Sequence, residues 1–146
     1  MTVEARTLTV LLRVVGIGLL ALGPLHVVLW RVLDWRQDSS RLTPLNARVF
    51  FAHLVSVVFV VMALGLLLLA RAELLVARGE LARLLLSGVA VFFGARLIAQ
   101  PFFFDPVLAR GWRWRTALRI VAITAWLGCF CVLLLALAHQ LGREGG

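Results

Sequence analysis

The chain of 146 residues has no lysine, seven acidic residues and two cysteines. Only 15% of its residues are charged and 62% are hydrophobic, at a mean hydropathy of +1.01. Soluble domains run nearer half apolar and a quarter charged, so this composition excludes an ordinary soluble domain. The cysteines, Cys129 and Cys131, lie inside one apolar run. At a spacing of i, i+2 they leave a helix on different sides, cannot bridge each other, and read as small packing residues. Hydrolase elbow, P-loop, zinc signature and dinucleotide fingerprint are all missing, as are internal repeats and low-complexity tracts. No carboxylate falls in the middle of an apolar run, which removes the usual relay of ion channels and pumps.

All fifteen basic residues are arginine, for a formal net charge of +8. In a soluble protein that surplus would point to nucleic acid. Here the arginines flank apolar runs, so the natural counter-charge is an anionic lipid headgroup and the expected partner is the bilayer, not nucleic acid. Assembly as a homo-oligomer or within a larger membrane complex stays open.

A bilayer core takes about 20 apolar residues per helix. Four runs are long enough: residues 8–30, 49–70, 84–104 and 120–141. The first carries Arg13 near one end, from where it can snorkel. It is longer than the apolar segment of a cleaved signal peptide, and it continues into Trp30 and Trp35, which read as interface anchors. Thr43 followed by Pro44 offers an N-cap and first helical residue ahead of the second run. The connections are short, so sequential helices are expected to be antiparallel. The expectation is a single all-α domain, an integral membrane four-helix bundle running up-down-up-down. Ala90 with Gly94, and Thr124 with Gly128, supply small-residue faces for close packing. Eight arginines lie on or beside the first and third loops, against five or six at the opposite ends. Arginine bias therefore puts those loops in the cytoplasm and both termini outside an inner membrane.

Depth along the runs singles out one end. His26 lies four residues before the end of the first run, His53 four after the start of the second, and Gln100 four before the end of the third. Each is then about 6 Å inside one face, with Arg96 a turn deeper at about 12 Å and on the same helix face as Gln100. An arginine at mid-span costs about 2.5–3.5 kcal/mol, so a functional site is the default reading, and the competing one is an arginine that snorkels or pairs with Asp105 for stability alone. Pro101 disfavours helical geometry at Gln100 and is expected to end the helix there. The phenylalanines 102–104 either wall a cavity at that opened end or face lipid. The run Arg110, Gly111, Trp112, Arg113, Trp114, Arg115 alternates arginine with tryptophan and reads as an anchor over lipid headgroups.

Three readings of His26 and His53 stand side by side: structural hydrogen bonding, ligation of haem or a metal from two helices, and acid–base work on a membrane-soluble substrate. No dedicated metal-ligand spacing is present. His139 falls at the other end, as an interfacial residue.

Pro44-Leu45-Asn46 with Phe50 and His53, then Gly94-Ala95-Arg96 with Gln100, then Phe104-Asp105 resembles a set of small four-span bacterial membrane proteins, from the first run through the third. In size and span count the chain is also similar to DoxX-like proteins. Neither resemblance brings an activity with it.

The leading expectation is therefore a protein that binds or transforms a membrane-soluble ligand in a polar pocket. Arg96 would neutralise an anionic or carbonyl group, Gln100 would orient it, His26 or His53 would exchange a proton, and Asp105 would hold Arg96 or a histidine tautomer. The alternatives are an electron-transfer protein with haem on His26 and His53, or a quinone in the same pocket, and a non-catalytic accessory subunit. The topology is testable on its own. Reporter fusions at the two termini and within residues 72–80 should all land on one side of the membrane; termini on opposite sides would end the four-span reading.

Overall fold

Hydrocarbon offers a backbone no hydrogen-bond partner, so an apolar run that enters it must satisfy its own amides and carbonyls as a helix. The computed structural model describes residues 2–77, 79–100, 102 and 113–142, with the side chains of 113–115 excepted. These form α1 (Val3–Val32), α2 (Trp35–Ser40), α3 (Pro44–Ala70), α4 (Ala72–Val76), α5 (Glu80–Ala99) and α6 (Arg113–Leu141). No strand occurs among the described residues. The all-α expectation holds, and α1, α3, α5 and the Thr116–Leu141 part of α6 are long and apolar enough to cross a membrane.

Only 11–33% of each helix's most apolar stretch is buried within the protein. Most apolar side chains thus point outward, which an aqueous surface does not tolerate over such lengths and lipid does. The protein is a multi-pass membrane protein on this ground.

The helices overrun the expected runs at most ends. At 1.5 Å per residue α1 and α6 are each about 45 Å long, well beyond a core of about 30 Å, and Arg113, Trp114 and Arg115 fall in the opening turn of α6. The third helix is instead displaced, ending at Ala99 where the apolar run continues to Phe104. Thr43 caps α3 as its type predicts: its Oγ1 accepts the Asn46 amide at 3.4 Å, with Pro44 in the first turn. Asp34 takes the left-handed conformation (φ 50°) between α1 and α2, a geometry that aspartate accepts more readily than most side chains.

The chain gathers into two compact units: Leu12–Ala72, and Met1–Leu11 with Glu73–Gly146. In the first, α1 and α3 run antiparallel and meet backbone to backbone. A Cβ built on Gly16 would lie 2.7 Å from the Gly65 carbonyl oxygen, and one on Gly65 2.9 Å from that of Gly16. Two turns on, Gly23 makes room for the Met62 thioether. At the far end Trp30 stacks on Phe50 and meets Phe51 and Trp35 edge-on, at ring separations of 6.1–6.4 Å.

In the second unit α5 and α6 pack antiparallel along their length. Leu86, Phe93, Leu133 and Ala136 are fully buried there. Of the two small-residue faces, Ala90 and Gly94 are used: Ala90 is buried and Gly94 lies against the Phe130 ring. Thr124 and Gly128 are not; both are exposed, and nothing lies within 4 Å of a Cβ at Gly128. Both cysteines are free thiols.

This contrast between glycines can be measured. Gly65→Ala forces a methyl against the α1 backbone and should cost about 1–3 kcal/mol in unfolding from mixed micelles. Gly128→Ala should be neutral or stabilise by about 0.5–1 kcal/mol through helix propensity. Equal effects at the two positions would contradict the close crossing.

Candidate functional site

Arg96 sits in the last turn of α5, three residues and about 5 Å from its final residue, shallower than the run lengths suggest. The cause is the early end of α5. A cation there also complements the helix dipole, which lowers the cost of keeping it. The side chain is half-buried. Its Nη1 donates to Gln100 Oε1 at 2.7 Å, and its Cζ stands 5.5 Å from the centroid of the Trp126 ring on α6. Trp126 in turn packs at 5.4 Å on fully buried Phe93. The guanidinium is held along one edge by an amide and over one face by an aromatic ring.

Gln100 is 3% exposed. Pro101 was expected to drive it out of helical geometry, and it does not: Gln100 keeps φ −55° and ψ −54°, and its N–H bonds the carbonyls of Arg96 and Leu97. The regular helix still stops at Ala99, with Gln100 entering a wider turn. Phe102 is 71% exposed, which fits a lipid-facing ring. Asp105, Arg110 and Trp112 lie outside the described residues. Arg113, Trp114 and Arg115 are helical, without side chains described.

His26 and His53 belong to the other unit. Seven and three residues on from Leu19 and Gly23, and four before Trp30, His26 falls on the stripe of α1 that faces α3 and is half-buried. Its Nδ1 lies 2.7 Å from the Leu22 carbonyl. A carbonyl only accepts, so Nδ1 carries a proton, and in the neutral form of the ring the lone pair stands on Nε2. The register of Gly16 with Gly65 and Trp30 with Phe51 sets His26 level with Val55, about 3 Å along the axis from His53. His53 itself is exposed, and turned by about 80° from the inward-facing Val61.

Sequence reasoning missed two participants, Trp126 and Gln140, and the partner of a third residue. Trp126 was read only as part of an apolar run. Gln140, 2% exposed, donates through Nε2 to the carbonyls of Leu75 and Ala77 at 2.7 and 2.8 Å, tying α6 to the end of α4. His139, interfacial by its place in the sequence, faces Glu4, with Nδ1 3.2 Å from Oε1. The paired termini were the available signal, since they bring the first turn of α1 and the last turn of α6 to one side. Among the described residues no three histidine, cysteine or acidic side chains group to hold a metal ion.

No protein-family model, curated protein or solved structure matches the chain.

The Gln140 contacts predict a clear cost. Gln140→Leu keeps the volume and orphans two carbonyls, one of them buried, and should lower stability by about 1–3 kcal/mol in micelle unfolding. A loss below a few tenths would show that water replaces the amide.

Proposed function

We propose that this protein is a multi-pass protein of a bacterial inner membrane that binds or transforms a membrane-soluble ligand carrying a carboxylate or carbonyl group, with Arg96 as the recognising residue. One observation carries the reading: the guanidinium is oriented in advance, by Gln100 along one edge and by the Trp126 ring below. A planar donor fork fixed in this way suits carboxylate or carbonyl geometry, and fixing it beforehand spares the entropy of ordering a long side chain on binding. Leucine in the same place avoids the desolvation cost, so an arginine kept there points to a use for its charge. Gln100 is the positioning residue. The first and third loops are cytoplasmic and both termini extracytoplasmic in this proposal, following the arginine bias.

His26 favours a second reading, electron transfer through haem or a quinone. Its Nδ1–H donates to the Leu22 carbonyl, the arrangement that presents Nε2 in metal-ligating and hydrogen-bonding histidines. A visible absorption spectrum of the purified protein separates the two, since a Soret band selects haem.

For the leading reading the experiment is mass spectrometry of small molecules retained on protein extracted gently into nanodiscs. Wild-type protein should retain an amphiphile with a carboxylate or carbonyl. Arg96→Leu should keep its helical circular dichroism and monodispersity while losing that occupancy about 10–100-fold, the worth of a charge-assisted hydrogen bond. Gln100→Leu should lower it less. Unchanged occupancy in folded Arg96→Leu would leave the arginine a structural residue.

A further inference from the structure

The second polar cluster stands at the opposite end of the same unit from Arg96. Glu4 lies in the first turn of α1 and His139 in the last turn of α6. The carboxylate accepts from the ring, so Nδ1 carries a proton, and in the neutral form of the ring the lone pair stands on Nε2. The His139 side chain is 8% exposed and that of Glu4 70%. Both line a cleft of about 270 Å³ whose remaining walls are Leu135, Ala138 and Gly142. Gln140, the next residue, is pinned by its two carbonyls, so the last turn of α6 that carries the ring is held in place.

Each helix end suits its residue. An N-terminus favours the Glu4 carboxylate and a C-terminus favours positive charge on His139. The pair is thus arranged to stabilise a proton shared at Nε2. Charge then narrows the ligand. Glu4 at the mouth repels an anion. Arg6, two residues along α1, leaves the helix on another side and does not line the cleft. The Nε2 lone pair asks for a hydrogen-bond donor, and Leu135 and Ala138 in the last two turns of α6 give apolar surface to one that enters from the membrane interface.

We propose that this cleft is a binding site for a neutral hydroxyl-headed amphiphile, of which phenols and quinols are the strongest donors, whose O–H donates to His139 Nε2 while Glu4 holds the ring. No bond is broken in this step, and the site is separate in ligand chemistry from the one proposed for Arg96.

The test titrates para-octylphenol, and para-octylanisole as its donor-free methyl ether, into the full chain in nanodiscs. Imidazole NMR of isotope-labelled histidine is the readout, with the His139 signal assigned by His139→Gln. The apo ring should be protonated at Nδ1. The phenol should move the Nε2 signal saturably, with the ether about tenfold weaker, the worth of one hydrogen bond. Glu4→Gln should weaken phenol binding severalfold at unchanged helix content. A proton on Nε2 in the apo ring, equal response to phenol and ether, an unmoved His139, or indifference to Glu4→Gln would each overturn the proposal. Arg96→Leu should leave this response intact, so the two sites fail independently.

Discussion

Two glycines decide how α1 lies on α3. Lipid tails are as apolar as leucine, so helices in a membrane are not driven together by burial and rely on close packing and polar contacts. At Gly16 and Gly65 the two backbones approach so nearly that a single methyl on either would strike a carbonyl of the other. That contact can be made in one register. With it set, Gly23 receives Met62, Trp30 reaches Phe50 and Phe51, and His26 falls on the packed stripe of α1. The α5–α6 pair meets the same requirement with rings: Phe130 fills the notch at Gly94, and Phe93 with Trp126 forms the platform beside Arg96.

Among the described residues several polar side chains close on their own helix. Thr9 and Ser56 donate to carbonyls four residues back, His26 does the same through its ring, and Arg96 reaches forward to Gln100. Local closure satisfies a donor in hydrocarbon without help from a neighbour. Gln140 and His139 break this habit by bonding to segments far away in the chain. Contacts of that kind hold a tertiary arrangement, and here they frame a cleft. Arg96 combines both habits, with a local amide partner and a ring from α6 beneath it.

Much of this was legible beforehand, for reasons of chemistry. Apolar runs longer than twenty residues read as spans because the bilayer thickness demands it. Thr43 before Pro44 read as a helix start because the cap needs that oxygen there. Arg96 and Gln100 shared a face because four residues make one turn. What a run of apolar residues does not encode is where the helix stops: the hydropathy runs on to Phe104 while α5 ends at Ala99, so Arg96 lies shallower. The Gly16–Gly65 crossing and the ring of Trp126 were equally hidden, since a single sequence shows small and aromatic residues without showing which face meets which. The pairing of Glu4 with His139 joins opposite ends of the chain, and only the paired termini hinted at it.

The central claim is that Arg96 is held inside the protein as a recognition group and does not reach for the headgroups. Solid-state NMR in phospholipid bilayers tests this directly, by measuring dephasing of the labelled Arg96 Cζ against a labelled Trp126 indole and against lipid phosphorus. The account predicts strong coupling to the indole, in keeping with the 5.5 Å separation, and little to phosphorus. Strong coupling to phosphorus with none to Trp126 would make Arg96 a snorkelling anchor and contradict the claim.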